Sequence, residues 1–311
     1  MTGSVESGAR LASFVFSILL FVSVAAIGRY IARPCEVAVG LLLLSFSPAL
    51  VSLSYAVLTE PSYIATIYLG LWLFWVQYKQ PTFRYAVLLG VVFALSFLNR
   101  LEGIIFLAVI PFLQGVHYFF SKDRNYNLKH LVVWAGVFIL TFSAVIAPQV
   151  WRVSSIVGDL ALNGRQVWSI VINNPDGKSY EEKIHGLDYS PSERNIVYLK
   201  RHPEAWKDMT SSFDPNDYIQ TVIANLKDLK RHRWSVLIGF FGTLFFILGL
   251  IALYRRGRVF EPFMMLTFIG ACMVPPLLHN VVIRHIAVIA PIMFLVAGIG
   301  IVYAAQLLLG L

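Results

Sequence analysis

The stretch from residue 286 to residue 311 reads IAVIAPIMFLVAGIGIVYAAQLLLGL and contains no charged residue. A helix needs about 20 predominantly apolar residues to cross a hydrocarbon core of about 30 Å, so this stretch is long enough to span a membrane. Eight further apolar runs precede it, at residues 11–28, 37–58, 63–76, 85–98, 104–120, 131–151, 235–254 and 262–278. Lipid offers the backbone no hydrogen-bonding partners, so a chain that spans it must form helices or closed barrels, in which the backbone groups bind one another. The sequence therefore predicts an all-α, polytopic transmembrane helical bundle with about nine spans.

The apolar runs divide the chain of 311 residues into four predicted parts. Residues 1–10 form a polar tail, residues 11–151 a transmembrane region of about six helices, residues 152–234 an extracytoplasmic helical segment, and residues 235–311 a transmembrane region of about three helices. The run at residues 85–98 is short for a span, and the alternative is a re-entrant pair with residues 104–120. Near the end of the polar segment, apolar residues recur with helical spacing and predict an amphipathic helix lying against the membrane or the bundle: Ile219, Val222, Ile223, Leu226 and Leu229.

Basic residues are concentrated in every second loop between the runs. These loops carry Arg29 and Arg33, Lys79 and Arg84, Lys122, Arg124 and Lys129, and Arg255, Arg256 and Arg258. Because Lys and Arg in short loops mark the cytoplasmic side of a membrane, we predict that these loops lie inside and the alternate loops outside. A second basic cluster is an exception on the predicted outer side: Lys227, Lys230, Arg231 and Arg233.

The net charge of +8 follows from this alternation. Residues 151–234 hold 12 Lys or Arg against 11 Asp or Glu, so the excess lies mainly in the predicted inner loops. The charge pattern therefore argues against a nucleic-acid partner. The two cysteines, Cys35 and Cys272, indicate neither a disulfide nor a metal site.

Two predicted outer loops carry charged residues that could do chemistry. Glu60 follows an apolar run and precedes Pro61. A carboxylate at a helix rim can bind a divalent cation or hold a polar substrate, or it can simply cap the helix that starts there. Arg100 and Glu102 lie in a tight turn that ends in Gly103. The guanidinium suits a phosphate, and the alternative is a local Arg–Glu pair that closes a hairpin.

Two further outer positions add cations and a histidine. Arg284 could contact a phosphate or extend to lipid headgroups. His285 could serve as a base, a donor or a metal ligand, or as an interfacial hydrogen-bonding residue. Arg152 follows Trp151 at the end of a run, where it could bind a lipid phosphate or flank an aromatic anchor.

Short motifs in these loops resemble those of GT-C fold membrane glycosyltransferases related to protein O-mannosyltransferases and the lipid A aminoarabinose transferase. YAVLTEPSY at residues 55–63 is similar to their second outer loop, and residues 8–29 resemble the helix after their catalytic loop. LNRLEG at residues 98–103 is similar to their Arg-Pro-Glu-Gly-like turn, with Leu101 where Pro is common. APQVWR at residues 147–152 resembles their Pro-Trp-x-x-Arg helix end, with the Trp displaced. Arg284-His285 to Pro291 resembles their Arg-Tyr…Pro motif, with His replacing Tyr.

The resemblance implies an enzyme that moves a sugar from a polyprenyl-phosphate carrier to an acceptor at the outer face of the membrane, the acceptor being a lipid, a glycan or a protein. It implies that Glu60 binds a divalent metal ion or the donor phosphate region. Arg284 and Arg100 would contact the lipid phosphate, with Glu102, Arg152 and His285 as further substrate-binding candidates. Such enzymes carry a catalytic Asp on a loop after their first helix, and no residue here matches it. We therefore expect a first helix and that loop to be missing, and the general base stays unassigned.

Two other functions remain open at this point. A transporter or flippase of a lipid-linked saccharide would need polar residues along a path through the membrane, whereas the charged residues collect at the predicted outer rim. A non-catalytic membrane scaffold would not need Glu60, Arg100 and Arg284 to converge.

Overall fold

The computed structural model describes residues 2–55, 59–120, 126–157, 160, 162, 215–278 and 283–310, and every regular element in these ranges is helical. A 3-10 turn (Leu101–Ile105) precedes α6, a π-helical turn (Leu229–Arg233) joins α8 to α9, and a 3-10 turn (Ala287–Ile289) precedes α13. The helices in chain order are α1 (Thr2–Ile31), α2 (Pro34–Ser45), α3 (Pro48–Tyr55), α4 (Glu60–Gln77), α5 (Phe83–Asn99), α6 (Phe106–Phe120), α7 (Leu128–Val157), α8 (Pro215–Asp228), α9 (Trp234–Leu237), α10 (Gly239–Arg255), α11 (Phe260–Leu278), α12 (Ile283–Ile286) and α13 (Ala290–Leu309).

The chain divides into two compact units. The first comprises Met1–Phe142 and Ile219–Leu311, and the second comprises Ser143–Tyr218. In the described part of the second unit, the end of α7 exposes Trp151 and Arg152. The predicted amphipathic helix is present as α8. Most of the predicted polar segment, residues 152–234, lies outside the described residues, and its assignment as a separate part stays a prediction.

The polytopic helical architecture is confirmed, whereas the number of candidate spans is lower than the sequence suggested. Five helices of the described residues are long and apolar enough to cross a membrane, or seven if two bent pairs are each counted as one span. All nine apolar runs contain a helix, but α4 and α5 are not among these five candidate spans. Helix α5 has only 17 residues, and α4 begins with Glu60 and ends with Gln77, although both helices pack within the bundle.

Helix α13 forms the core of the first unit. Within the span Ile283–Leu309, 83% of an apolar 18-residue stretch is buried, against 22–39% for the corresponding stretches of the other four candidate spans. Its neighbours α2 and α10 approach it closely at glycines: a Cβ on Gly249 would lie 2.0 Å from the Val296 carbonyl oxygen, and one on Gly300 1.9 Å from that of Phe245. Small residues at helix crossings allow backbones to pack against one another where lipid supplies no hydrophobic driving force.

Three of the basic loops lie at the same end of the bundle. Arg256 makes a bidentate ion pair with the fully buried Glu36, at 2.5 and 3.0 Å. Arg258 donates to the carbonyl of Tyr30, and the Tyr78 hydroxyl lies 3.4 Å from the Glu261 carboxylate. These contacts join the ends of α1, α4 and α10 to the starts of α2 and α11. The basic loops at residues 29–33, 79–84 and 255–258 therefore share one end, as the charge alternation predicts.

The close glycine contacts of α13 generate a stability prediction. We expect Gly300→Ala to lower the free energy of unfolding by about 1–3 kcal/mol, because the added methyl group must displace the backbone of α10. Gly270→Ala in α11 is the matched control, since its Cβ would meet no atom within 4 Å. It should leave stability unchanged or raise it, because Ala favours helix over Gly by about 1 kcal/mol. Thermal unfolding in detergent tests both, and equal midpoints for the two variants would contradict the packing described.

Candidate functional site

The candidate site lies at the end of the bundle opposite the basic loops. Helices α4 and α5 are antiparallel neighbours, so the first residue of α4, Glu60, lies beside the residue that follows α5, Arg100. The Ser62 hydroxyl donates to the Asn99 side chain at 2.9 Å and fixes this pairing. After Arg100 the 3-10 turn folds back onto α5. A Cβ on Gly103 would lie 2.5 Å from the Phe97 backbone nitrogen, so the turn requires glycine at this position.

Arg100 is the centre of a buried ion cluster. Its Nη1 donates to Glu60 Oε1 at 2.8 Å, while Nη2 and Nε donate to the two oxygens of Glu102 at 2.7 and 3.3 Å. The residues Glu60 and Arg100 are each only 5% exposed. The guanidinium carbon also lies 5.6 Å from the centre of the Tyr63 ring, within cation–π range. The Arg100 guanidinium is therefore occupied by two carboxylates and one aromatic face.

The charge of Arg100 is secured by its partners. Burial acts to lower the pKa of Arg100, but the hydrogen bonds and charge of Glu102, together with the charge of Glu60, outweigh burial and raise the pKa above its ordinary value. A buried cation is tolerated only when it is paired and hydrogen-bonded. With both carboxylates ionised, the trio Glu60–Arg100–Glu102 carries one excess negative charge, which the neighbouring Arg284 can balance.

Arg284 approaches the cluster from the segment that precedes the core helix. Its Nε lies 3.8 Å from Glu60 Oε1, and its side chain is 51% exposed, against 6% for Glu60. The Tyr68 hydroxyl anchors this segment to α4, because it donates to the Val288 carbonyl and accepts from the Ile292 amide, both at 2.9 Å. Arg284 is thus held near the cluster, half-exposed and only weakly paired.

His285 is half-buried beside these charges. It lies within electrostatic range of Arg100, Glu102, Arg284 and Glu60. The structure therefore brings together five of the six sequence-predicted site residues at one mouth of the first unit. The sixth, Arg152, is exposed in the second unit, and its role stays a prediction.

The pairing of Arg100 differs from the role that the resemblance implies. Its guanidinium binds carboxylates rather than facing a phosphate. It forms the local pair with Glu102 that the sequence offered as the alternative, and it also binds Glu60. Sequence reasoning missed Tyr63 and Tyr68. Tyr63 lies three residues after Glu60 on the same helix, and that spacing could have indicated a shared face.

The predicted metal ligand, Glu60, shares its Oε1 with both guanidinium groups. Among the described residues, no group of three or more His, Cys, Asp or Glu side chains is arranged to hold a metal ion. Metal binding at Glu60 stays a prediction. Cys35 and Cys272 are both free thiols, as their sequence positions indicate.

An apolar groove of about 350 Å³ adjoins the ion cluster. It runs between α1, the α2–α3 bend and the start of α4, and Pro61, the residue next to Glu60, forms part of its wall. Apart from three serines, its lining is hydrophobic: Phe14, Ile18, Leu20, Phe21, Val22, Leu44, Leu50, Val51, Leu53, Pro61 and Ile64. A charged mouth beside an apolar groove suits a ligand that joins an anionic head to a hydrocarbon chain.

Comparison with known protein families agrees with the resemblance of these motifs to those of membrane glycosyltransferases. Residues 1–151 match the dolichyl-phosphate-mannose-protein mannosyltransferase family. The matched part contains Glu60, Arg100 and Glu102, whereas Arg284 and His285 lie beyond it. The match supports a membrane glycosyltransferase of the GT-C type, and the chain is an integral, multi-pass membrane protein. No curated protein and no solved structure matches the chain.

The two arginines of the site should differ in what they contribute to stability. We expect Arg100→Gln to cost about 3–5 kcal/mol of unfolding free energy, because it leaves Glu60 and Glu102 without their buried cation. Arg284→Gln should cost at most about 1 kcal/mol, since Arg284 is half-exposed and its ion pair is long. Chemical unfolding of the purified variants in detergent measures both changes. A similar loss for the two variants would contradict this division.

Proposed function

We propose that this chain is a glycosyltransferase that moves a sugar from a polyprenyl-phosphate donor to an acceptor at the outer face of the membrane. The observation that carries the proposal is the convergence of the half-exposed Arg284 with the buried trio Glu60–Arg100–Glu102. The family match over residues 1–151 supports the same class of reaction. Because the description of that family names dolichyl-phosphate-mannose, a mannosyl donor is the first one to test.

The donor phosphate is assigned to Arg284. Its 3.8 Å contact with Glu60 is long, so the guanidinium can turn towards a phosphate. Glu60 is not left without a partner by this movement, because Arg100 remains at 2.8 Å. An arginine can offer a phosphate two parallel hydrogen bonds, which gives both affinity and orientation. In this arrangement Arg100 is a positioning residue, since it holds Glu60 and Glu102 in place.

The chemistry needs stabilisation of a departing phosphate. In the transfer, the acceptor oxygen bonds to the anomeric carbon of the sugar, and the bond between that carbon and the phosphate oxygen breaks. The electron pair stays on the phosphate, which leaves on its lipid as a monoester that can take up the proton released by the acceptor hydroxyl. Arg284 would stabilise the charge that develops on this phosphate, and such preorganised contacts are often a large contribution to catalysis.

A divalent cation would have to compete at Glu60 with two guanidinium groups. Arg100 and Arg284 both address the same carboxylate oxygen, Glu60 Oε1. The phosphate contact is therefore assigned to Arg284, and no step of the proposed reaction depends on a metal. The hydrocarbon chain of the donor is assigned to the apolar groove, because its wall reaches Pro61 beside the charged mouth.

The two alternative functions fit the structure less well. A scaffold would not need the three charged residues to converge, yet Glu60 contacts both arginines. A transporter would need a polar path through the bundle. In the described residues, the buried charged side chains lie at helix ends: Glu36 at the start of α2, Glu60 at the start of α4 and Arg100 after α5.

The role of Arg284 can be tested directly with dolichyl phosphate. In protein reconstituted in nanodiscs, we expect Arg284→Gln to weaken binding of dolichyl phosphate at least about tenfold, because a charged contact is lost. A tenfold change corresponds to about 1.4 kcal/mol of binding free energy. Transfer of labelled mannose from its dolichyl-phosphate donor to the lipid, glycan or protein fraction should fall by about 10²–10³-fold. Arg255→Gln at the opposite end of the bundle is the control and should leave both unchanged. Wild-type binding by the Arg284 variant would refute the phosphate assignment.

The groove assignment predicts a dependence on lipid length. We expect Ser17→Trp, which fills the groove, to weaken binding of dolichyl phosphate but not of a phosphate ester that carries only two isoprene units. Leu140→Trp is the control, because Leu140 is 71% exposed on α7 and lies outside the groove. Competition between the two phosphates in nanodiscs measures the effect. Equal weakening for both lipid lengths would point to a disturbed headgroup site instead.

A further inference from the structure

The chain bends sharply between α9 and α10. The helical stretch Ile219–Leu237, which includes most of α8 and all of α9, makes an angle of 87° with Gly239–Arg255. Gly239 has a backbone φ of +69°, a conformation that glycine adopts readily and other residues avoid. Helix α10 packs along the core helix α13. If α10 crosses the membrane, α8 must run nearly parallel to the membrane plane.

Helix α8 presents different chemistry on its different sides. Ile219, Ile223 and Leu226 follow a spacing of four and three residues, which places them on one side. They are exposed by 57, 40 and 47%, so within the described residues this apolar side does not pack against the bundle. The side that does face the bundle carries Asn225, whose amide donates to the Leu277 carbonyl of α11 at 2.8 Å.

A cluster of exposed cations follows the apolar side. Lys227, Lys230 and Arg231 are exposed, while Arg233 pairs with Asp228 at 3.2 Å. Trp234 comes next and donates from its indole nitrogen to the Thr243 hydroxyl of α10 at 2.8 Å. An exposed apolar stripe with adjacent Lys and Arg is the composition of helices that lie in a membrane interface.

We propose that α8 and the π-helical turn after it form an interfacial helix that binds the surface of an anionic bilayer. Ile219, Ile223 and Leu226 would enter the boundary between headgroups and acyl chains. Lys227, Lys230 and Arg231 would contact lipid phosphates. A lipid surface fits better than a protein partner, because the 87° bend places this side at the level where the span of α10 ends. Positive charge there complements the anionic headgroups of such a surface.

This placement has a consequence for the candidate site. Helix α9 contacts α12, the short helix that carries Arg284, and also α3. Asn225 meanwhile binds a carbonyl near the end of α11. An interfacial helix held by lipid would therefore hold Arg284 at the level of the headgroups. It also accounts for the basic cluster that breaks the charge alternation, because these residues have lipid phosphates as partners.

Spin labelling in nanodiscs tests the placement without measuring transfer. Single cysteines at residues 219, 223 and 226 are introduced in a Cys35→Ser background, since Cys272 is buried and Cys35 is exposed. We expect these labels to be more accessible to oxygen than to a water-soluble nickel chelate, as for positions in lipid. Gln220, exposed elsewhere on α8, is the matched control and should show the reverse. Preference for the nickel chelate at residues 219, 223 and 226 would show a solvated helix, and protection from both reagents would show a protein cover. Either result overturns the proposal.

The preference for anionic lipid has its own test. The triple variant Lys227→Gln, Lys230→Gln and Arg231→Gln is compared with the parent in nanodiscs of phosphatidylcholine with or without phosphatidylglycerol. We expect phosphatidylglycerol to increase the label depth at residue 223 in the parent and to have no effect in the triple variant. Arg10→Gln, an exposed cation of α1 paired with Glu6, is the control and should behave as the parent. An unchanged lipid effect in the triple variant would refute the role of these cations. Because neither readout needs a sugar donor, failure here is distinguishable from failure of the proposed glycosyltransferase function.

Discussion

The candidate site depends on one buried cation held between two carboxylates. Removing the Arg100 guanidinium from water is costly, and the cost is offset only when its donors are satisfied in good geometry. Glu60 and Glu102 do this from two different elements, the start of α4 and the 3-10 turn after α5. The same interaction therefore closes the end of the bundle and fixes a carboxylate beside the half-exposed Arg284. A cation that is already paired supports the site, and a cation that is weakly paired remains available to a ligand.

The core helix connects this cluster to the rest of the first unit. Glycine contacts let α2 and α10 pack directly against α13, and the Tyr68 hydroxyl attaches the segment before α13 to α4. Arg284 is thus positioned by the segment that leads into this buried helix. At the other end, the Glu36–Arg256 pair joins α2 to the residue after α10. The bundle is therefore held by ion pairs at both ends. Within the described residues, the Glu60 end combines a half-exposed arginine with an adjoining apolar groove.

The position of the site suits a substrate that arrives within the membrane. A lipid-linked donor presents an anionic head at the interface and a hydrocarbon chain below it. The charged mouth, with Glu60 and Arg284, matches the anionic head. The groove beside Pro61 matches the hydrocarbon chain. The proposed interfacial helix would hold this mouth at headgroup depth. In this view, lipid is both the environment of the protein and the carrier of its substrate.

The sequence by itself determined the helical membrane architecture, because long apolar runs in lipid have few alternatives to helices. It also determined which residues stand at one rim of the bundle, because Glu60, Arg100 and Arg284 interrupt or flank those runs. Only the tertiary structure decided how they pair. Glu60 and Arg100 are 40 positions apart, and Tyr68 and Ile292 are 224 apart. Contacts at such separations depend on how helices pack, and local sequence patterns do not specify that packing. The 87° bend before α10 is set in the same way, because a continuous apolar pattern through residues 235–254 gives no sign that the chain turns at Gly239.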